Sequence, residues 1–192
     1  MGFTDLLFIT YRIMPFIMVS FLVIISLFSS ELSGFWILVG LLLSSIFTIG
    51  VSKTEWITSN ADITPEMLQR CNLITFGGHV LSNLPLSTHT FAFIFTYFLY
   101  VTLVHKIASN NLFLLFVLGG ILVIDVIFNF KNCAKHYVFV PLFFGALGGI
   151  TWAGMLGKEN QMLPKSADSQ ASCKVNKNNV YNCKIKRSIV SA

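Results

Sequence analysis

Long apolar runs separated by short polar intervals set the pattern of this chain. They extend from about Leu6 to Phe28, Phe35 to Gly50, Ser87 to Val104, Leu112 to Phe128 and Tyr137 to Leu156. A bilayer core roughly 30 Å thick takes about 20 apolar residues of helix to cross, so the runs predict five spans. The expected fold class is all-α: a polytopic transmembrane helical bundle of about five spans, followed by a polar basic tail. The second run is the shortest and borrows flanking residues to cross. The first is too long for a secretory signal, and "SLFSSELSGFW" after it offers no small-residue cleavage site, so it is expected to stay as a span. Pro15 inside that run predicts a kink, and Arg12 near its start is placed to snorkel to the interface.

Composition gives the same solvent. With 55% hydrophobic and 11% charged residues, and 19 Phe among 192 positions, the chain is too apolar for a soluble domain. Two regions follow: residues 1–157 form the bundle, with 51–86 as an interfacial segment, and 158–192 form an extramembrane tail. In the interfacial segment, Thr64-Pro65 with Glu66 in the first turn predicts a helix start.

Five spans put the two ends of the chain on opposite faces. Lys53, Arg70, Lys131 and Lys135 lie on the N-terminal face; Lys106 and all the basic residues of the tail lie on the other. Basic residues in short loops favour the cytoplasmic side, so the tail is expected on the cytoplasmic-equivalent face. It holds seven basic and two acidic residues, which accounts for the chain's whole formal charge of +5. Two readings stay open for it. A Lys- and Asn-rich segment of this kind lacks the apolar surface to order itself and lies solvated near anionic headgroups; alternatively it docks to a partner protein through Lys174, Lys177, Lys184, Lys186 and Arg187.

The four cysteines divide between the faces, with Cys71 and Cys133 on one and Cys173 and Cys183 on the other. Their spacings match no zinc site. A Cys173–Cys183 disulfide needs an oxidising compartment, which the charge bias opposes, so free thiols are expected. No metal, cofactor or specific nucleic-acid partner is implied, and the expected partners are the lipid bilayer and other proteins of an assembly.

Chemistry concentrates at two helix starts. "LSTH" places Ser87 at the N-cap position and Thr88 and His89 in the first turn. A helix N-terminus offers unpaired N–H groups and partial positive charge to an anion. In "NFKNCAKHYVFVPLFFGALGGITWAG", His136 opens the fifth span behind Lys131 and Lys135, ahead of the small residues Gly145, Ala146, Gly148 and Gly149. By the span count, Ser87, His89 and His136 open on the same face. The plain alternatives are a capping serine, polar interfacial neighbours and a small-residue packing face. His79 and His105 fall in loops, where solvent or headgroups satisfy them.

Together these two stretches resemble the type 2 phosphatidic acid phosphatase superfamily of membrane lipid-phosphate phosphatases. That family's Pro-Ser-Gly-His signature reads here "LSTH", with Leu86 for the Pro and Thr88 for the Gly. Its last signature keeps His136 and the Gly-rich helix, but Asn129 and Phe130 stand at the Ser-Arg places and Val140 at the Asp place. Its first signature is not present as such; Lys53 and Arg70 lie in the region at another spacing. The resemblance implies His136 as nucleophile, His89 as general acid, and Ser87, Lys131, Lys135 and Arg70 as phosphate-binding groups. The missing acid deprives His136 of orientation and charge compensation. Asp125, about one turn from the exit of the fourth span, is the candidate substitute; its alternative role is a partner for Lys131 or Lys135.

Two functional classes are therefore expected. One is a structural or assembly protein built on a degenerate phosphatase-like bundle, docked through its tail; its Phe-, Ile- and Asn-rich style resembles membrane proteins encoded by large DNA viruses, which implies a virion membrane beneath a capsid. The other is a working lipid-phosphate or polyisoprenyl-phosphate phosphatase.

Overall fold

The computed structural model of the chain describes residues 3–28, 33–54, 75–76, 79–80, 84–107, 111–133, 135–157, 160–162, 172–175 and 181–184; for some of these, Lys135 and His136 among them, it describes the backbone alone. Five long helices account for most of them: α1 (Phe3–Phe28), α2 (Ser33–Ser52), α3 (Leu86–Val104), α4 (Leu112–Asn132) and α5 (Lys135–Met155). Each falls within a few residues of an apolar run in the sequence. Four of them, α2 to α5, are long and apolar enough to cross a membrane, and α1 adds the apolar stretch Ile13–Ile24. The chain is thus a membrane-embedded helical bundle.

Two short antiparallel ribbons lie outside the bundle helices. β1 (Thr75–Phe76) pairs with β2 (His79–Val80), and β3 (Ser172–Val175) pairs with β4 (Tyr181–Lys184). The second gives the tail local structure that its composition alone did not predict. The expected interfacial helix at Thr64-Pro65 lies outside the described residues.

The middle helix in the sequence is also the middle helix in space. The α3 span has a mean hydropathy of 1.3, the lowest of the four, yet 56% of it is buried, whereas α4 has the highest at 2.5 and is 17% buried. Without water to compete, helices are sorted by packing and by polar groups needing partners, and the most apolar helix loses nothing by facing lipid. Phe113, Phe116, Val123 and Ile127 of α4 are accordingly exposed, while Phe93, Ile94, Tyr97 and Val101 of α3 are enclosed with Ile37 of α2 and Ala153 of α5.

The closest approach is between α3 and α5, which run parallel. A Cβ placed on Gly145 would sit 2.5 Å from the His89 carbonyl oxygen and 3.0 Å from Ala92 Cβ; one on Gly149 would collide with Thr96 Oγ1 and the Phe93 carbonyl. The missing side chains let the two backbones meet, and Thr96 Oγ1, whose single proton is shared with the Ala92 carbonyl of its own helix at 2.8 Å, lies 3.1 Å from the Ala146 carbonyl across the seam. Antiparallel to both, α2 lies against α5, with Gly40 under the Trp152 ring and Trp152 Nε1 donating to the Trp36 carbonyl at 2.8 Å. α1 folds back on α2 where Gly34 meets Ser26.

A polar clip closes the tail-side end. Gln161 Nε2 donates to the Ala153 and Leu156 carbonyls at 2.8 and 3.0 Å, satisfying the end of α5, and its Oε1 meets His105 Nε2 at 2.7 Å. The Met162 N–H donates to Tyr97 Oη at 3.3 Å. His105, expected to turn to solvent or headgroups, instead joins the ends of α3 and α5.

Overpacking a closed seam costs about 1–3 kcal/mol. Gly145→Val is expected to lower the unfolding free energy in detergent micelles by an amount of that order, read from a denaturant titration. Gly120→Ala is the matched control, since a Cβ there meets nothing within 4 Å, and it is expected to leave the midpoint unchanged or slightly raised.

Candidate functional site

The first turn of α3 carries Ser87, Thr88 and His89. The helix begins two residues earlier than the sequence suggests, with Pro85 as N-cap at φ −67°, ψ 102° and no side-chain cap bond. Ser87 is therefore inside the helix, and its hydroxyl is used elsewhere. Successive residues on a helix point about 100° apart, so Thr88 and His89 address different neighbours.

Thr88 faces α4. Its Oγ1 donates to Asp125 Oδ2 at 2.5 Å, and Asn129 Nδ2 donates to the same oxygen at 2.9 Å. That amide nitrogen also lies 2.9 Å from Thr88 Oγ1 and 3.3 Å from Ser87 Oγ, so two amide protons are shared among three acceptors. Asp125 is fully enclosed, at 0% exposure. An acidic side chain inside a span is tolerated where protein donors replace its hydration, and Thr88 and Asn129 do this for Oδ2. Asn129 stands one turn after Asp125 on α4, the spacing that stacks two side chains on one face.

His89 faces the other way. Its Nδ1 lies 3.1 Å from Thr48 Oγ1 of α2, and Thr48 Oγ1 also donates to the Ser44 carbonyl at 2.9 Å. Nε2 makes no hydrogen bond of regular geometry, while the ring also interacts with the Pro141 backbone of α5, and both His89 and Thr48 are at 0% exposure. The backbone of this turn rests on Gly145 of α5. His89 thus sits where α2, α3 and α5 converge, while Asp125 lies on the α4 flank of α3.

His136 lies in the first turn of α5, on the face where α3 also begins, as the span count implies. The register against α3 separates the two histidines in depth. The His89 backbone lies against Gly145, nine residues further along α5 than His136, whereas its ring interacts with the Pro141 backbone, five residues further along, or about 7.5 Å at 1.5 Å per residue. The His136 side chain lies outside the described residues, as does that of Lys135. Lys131 is exposed in the last turn of α4. Arg70 lies outside the described residues, as do Lys177, Lys186 and Arg187 of the tail; Lys174 and Lys184 fall within β3 and β4.

Cys133, at the C-cap of α4, is disulfide-bonded, which overturns the expectation of a free thiol there. Its sulfur lies 3.8 Å from Asn129 Oδ1; a disulfide sulfur has no proton to donate, so this is a packing contact. The charge bias that led to the free-thiol expectation concerned the tail face, and Cys133 is on the opposite one, where oxidation meets no such objection.

Thr48 and Asn129 are the participants that sequence reasoning missed as functional residues. Thr48 follows Ser44 and Ser45 in the otherwise apolar stretch "SSIFTIG", the pattern of hydroxyls bonded only to their own helix. Asn129 was legible only as a departure from a phosphatase signature. Its place four residues after Asp125 is the signal that pairs it with the acid.

Comparison with family models, curated proteins and solved structures found no match.

A buried hydrogen bond to a charged group contributes about 1.5–3 kcal/mol, and bonds between membrane helices average nearer 0.6 kcal/mol in double-mutant cycles. Thr88→Val and Asp125→Asn are each expected to destabilise the micellar protein, and the double variant to lose less than the sum, by roughly 0.5–1.5 kcal/mol. Strict additivity in the denaturant titration would mean that the Thr88–Asp125 bond does not operate.

Proposed function

We propose that this chain is an integral-membrane structural or assembly protein: a degenerate phosphatase-like bundle anchored in the bilayer, with the basic tail docking it to an acidic partner surface. The observation that carries the reading is how the signature-like residues are used. Thr88 and Ser87 meet Asn129 and Asp125 of α4, and His89 meets Thr48 of α2. Both His89 and Asp125 are wholly enclosed. A nucleophilic or acid–base site needs its groups within hydrogen-bonding reach of substrate. These groups serve as ties between helices, and they are what a bundle that had kept the fold and lost the chemistry would retain. A protein in a virion membrane under a capsid is one setting for such an anchor.

The second reading, a lipid-phosphate phosphatase with His136 as nucleophile and His89 as general acid, draws on one feature. His89 is held through Nδ1 by Thr48, while its Nε2 makes no hydrogen bond of regular geometry and its ring lies by the Pro141 backbone; an imidazole oriented through one nitrogen can pass a proton at the other.

The two readings part in a single assay. Purified protein in detergent, offered phosphatidic acid and a polyisoprenyl diphosphate, is expected to release no more phosphate than a His136→Ala variant, with circular dichroism confirming that both are folded. Release by the wild type that disappears in His136→Ala would replace the structural reading with the enzymatic one.

A further inference from the structure

The tail ribbon is too small to hold itself together. Each strand has four residues, and a lone two-stranded hairpin is marginal at best in water. The register is Ser172↔Lys184, Cys173↔Cys183, Lys174↔Asn182 and Val175↔Tyr181. Val175 and Tyr181 are the one pair here of an aromatic with a β-branched residue, worth a few tenths of a kcal/mol to about 1 kcal/mol. The Lys- and Asn-rich sequence around the strands offers no apolar surface to offset ordering entropy. A covalent tie within the ribbon would supply what the side-chain pairs do not.

The register supplies the place for one. Residues directly opposite in an antiparallel pair have Cα atoms about 4.5–5.5 Å apart, inside the roughly 4.4–6.8 Å that a disulfide spans. A slip of one residue would set Cys173 against Asn182 or Lys184, and apart from the weak Val175–Tyr181 pair no polar or apolar pattern in these strands selects one register. The ribbon is paired in the register that brings its two cysteines opposite one another.

We infer that Cys173 and Cys183 form a cross-strand disulfide that clasps the tail ribbon. The bond forms by exchange: the two thiols give up two protons and two electrons to a disulfide donor, which leaves as a dithiol. The clasp stands against the expectation of free thiols in the tail and has a topological consequence. Cys133, disulfide-bonded, precedes the α5 span, and the clasp follows it, so oxidised sulfur stands at both ends of one membrane crossing. The charge bias concerns insertion of the spans, and the clasp requires that the tail face meet a disulfide donor. The clasp also holds Lys174 and Lys184 on adjacent strands, so less ordering is left to be done when a partner binds.

The test is chemical mapping of the full-length protein. Cells producing it are flooded with N-ethylmaleimide before lysis to freeze free thiols, and the purified protein is digested without reductant for mass spectrometry. The expected result is a linked peptide pair containing Cys173 and Cys183, unmodified by maleimide and separating into two on reduction. Maleimide on either residue, or linkage of either to Cys71 or Cys133, overturns the clasp. Limited proteolysis in detergent checks its mechanical role: reductant, or the Cys173→Ser/Cys183→Ser double variant, is expected to speed cleavage between 172 and 184 at least tenfold. A cleavage rate unmoved by both treatments would show that the bond does not order the ribbon.

Discussion

Inside a bilayer a polar side chain has no water to turn to, and the α3 span, with a mean hydropathy of 1.3, is the least able of the four to face lipid. Its hydroxyls and imidazole have to find protein partners or leave the membrane. The bundle is arranged around that requirement. On one flank Thr88 meets Asp125 and Asn129 of α4, on another His89 meets Thr48 of α2, and along the seam with α5 Thr96 reaches the Ala146 carbonyl. Three neighbours are fixed by polar contacts of one helix.

Those contacts rest on close approach. Gly145 and Gly149 let the α5 backbone lie directly on α3, so dispersion forces between two backbones supplement the polar bonds that lipid cannot compete for. At the tail-side end, Gln161 holds the last carbonyls of α5 and meets His105, which keeps the two helices in register where their spans finish. The outward faces of α4 carry no such specification. They are apolar and exposed, which in this solvent requires no partner.

The same economy bears on function. Asp125 and His89 would be expected, on chemical grounds alone, to mark a reacting centre, because ionisable groups are costly inside a span. Here each is matched to a hydroxyl or amide on a neighbouring helix, and the two lie on different flanks of α3. A buried polar group that specifies which helices pair, and in which register, has a structural reason to persist whether or not it touches a substrate. The tail differs in kind: its structure depends on pairing in water, where a short ribbon with few apolar pairs needs a covalent constraint.

Apolar runs of span length, read along the chain, determined the helices: bilayer thickness fixes how many residues a crossing takes, and that is a one-dimensional property. The positions of Leu86–Val104 and Leu112–Asn132 were accordingly legible to within a few residues. The sequence also singled out His89 and Asp125, because an ionisable residue in an apolar setting is conspicuous without any structure. It did not reveal their partners. Thr48 and His89 are 41 residues apart and Thr88 and Asp125 are 37 apart, and nothing in the local pattern says which faces of which helices will meet. Ser87 looked like a cap because its neighbours in sequence allow it, yet Pro85 took that position and Asn129 came within reach of the hydroxyl. Tertiary structure decided these pairings, because helix–helix contacts depend on rotation and register set jointly by every neighbour, and that information is not carried by any single stretch of chain.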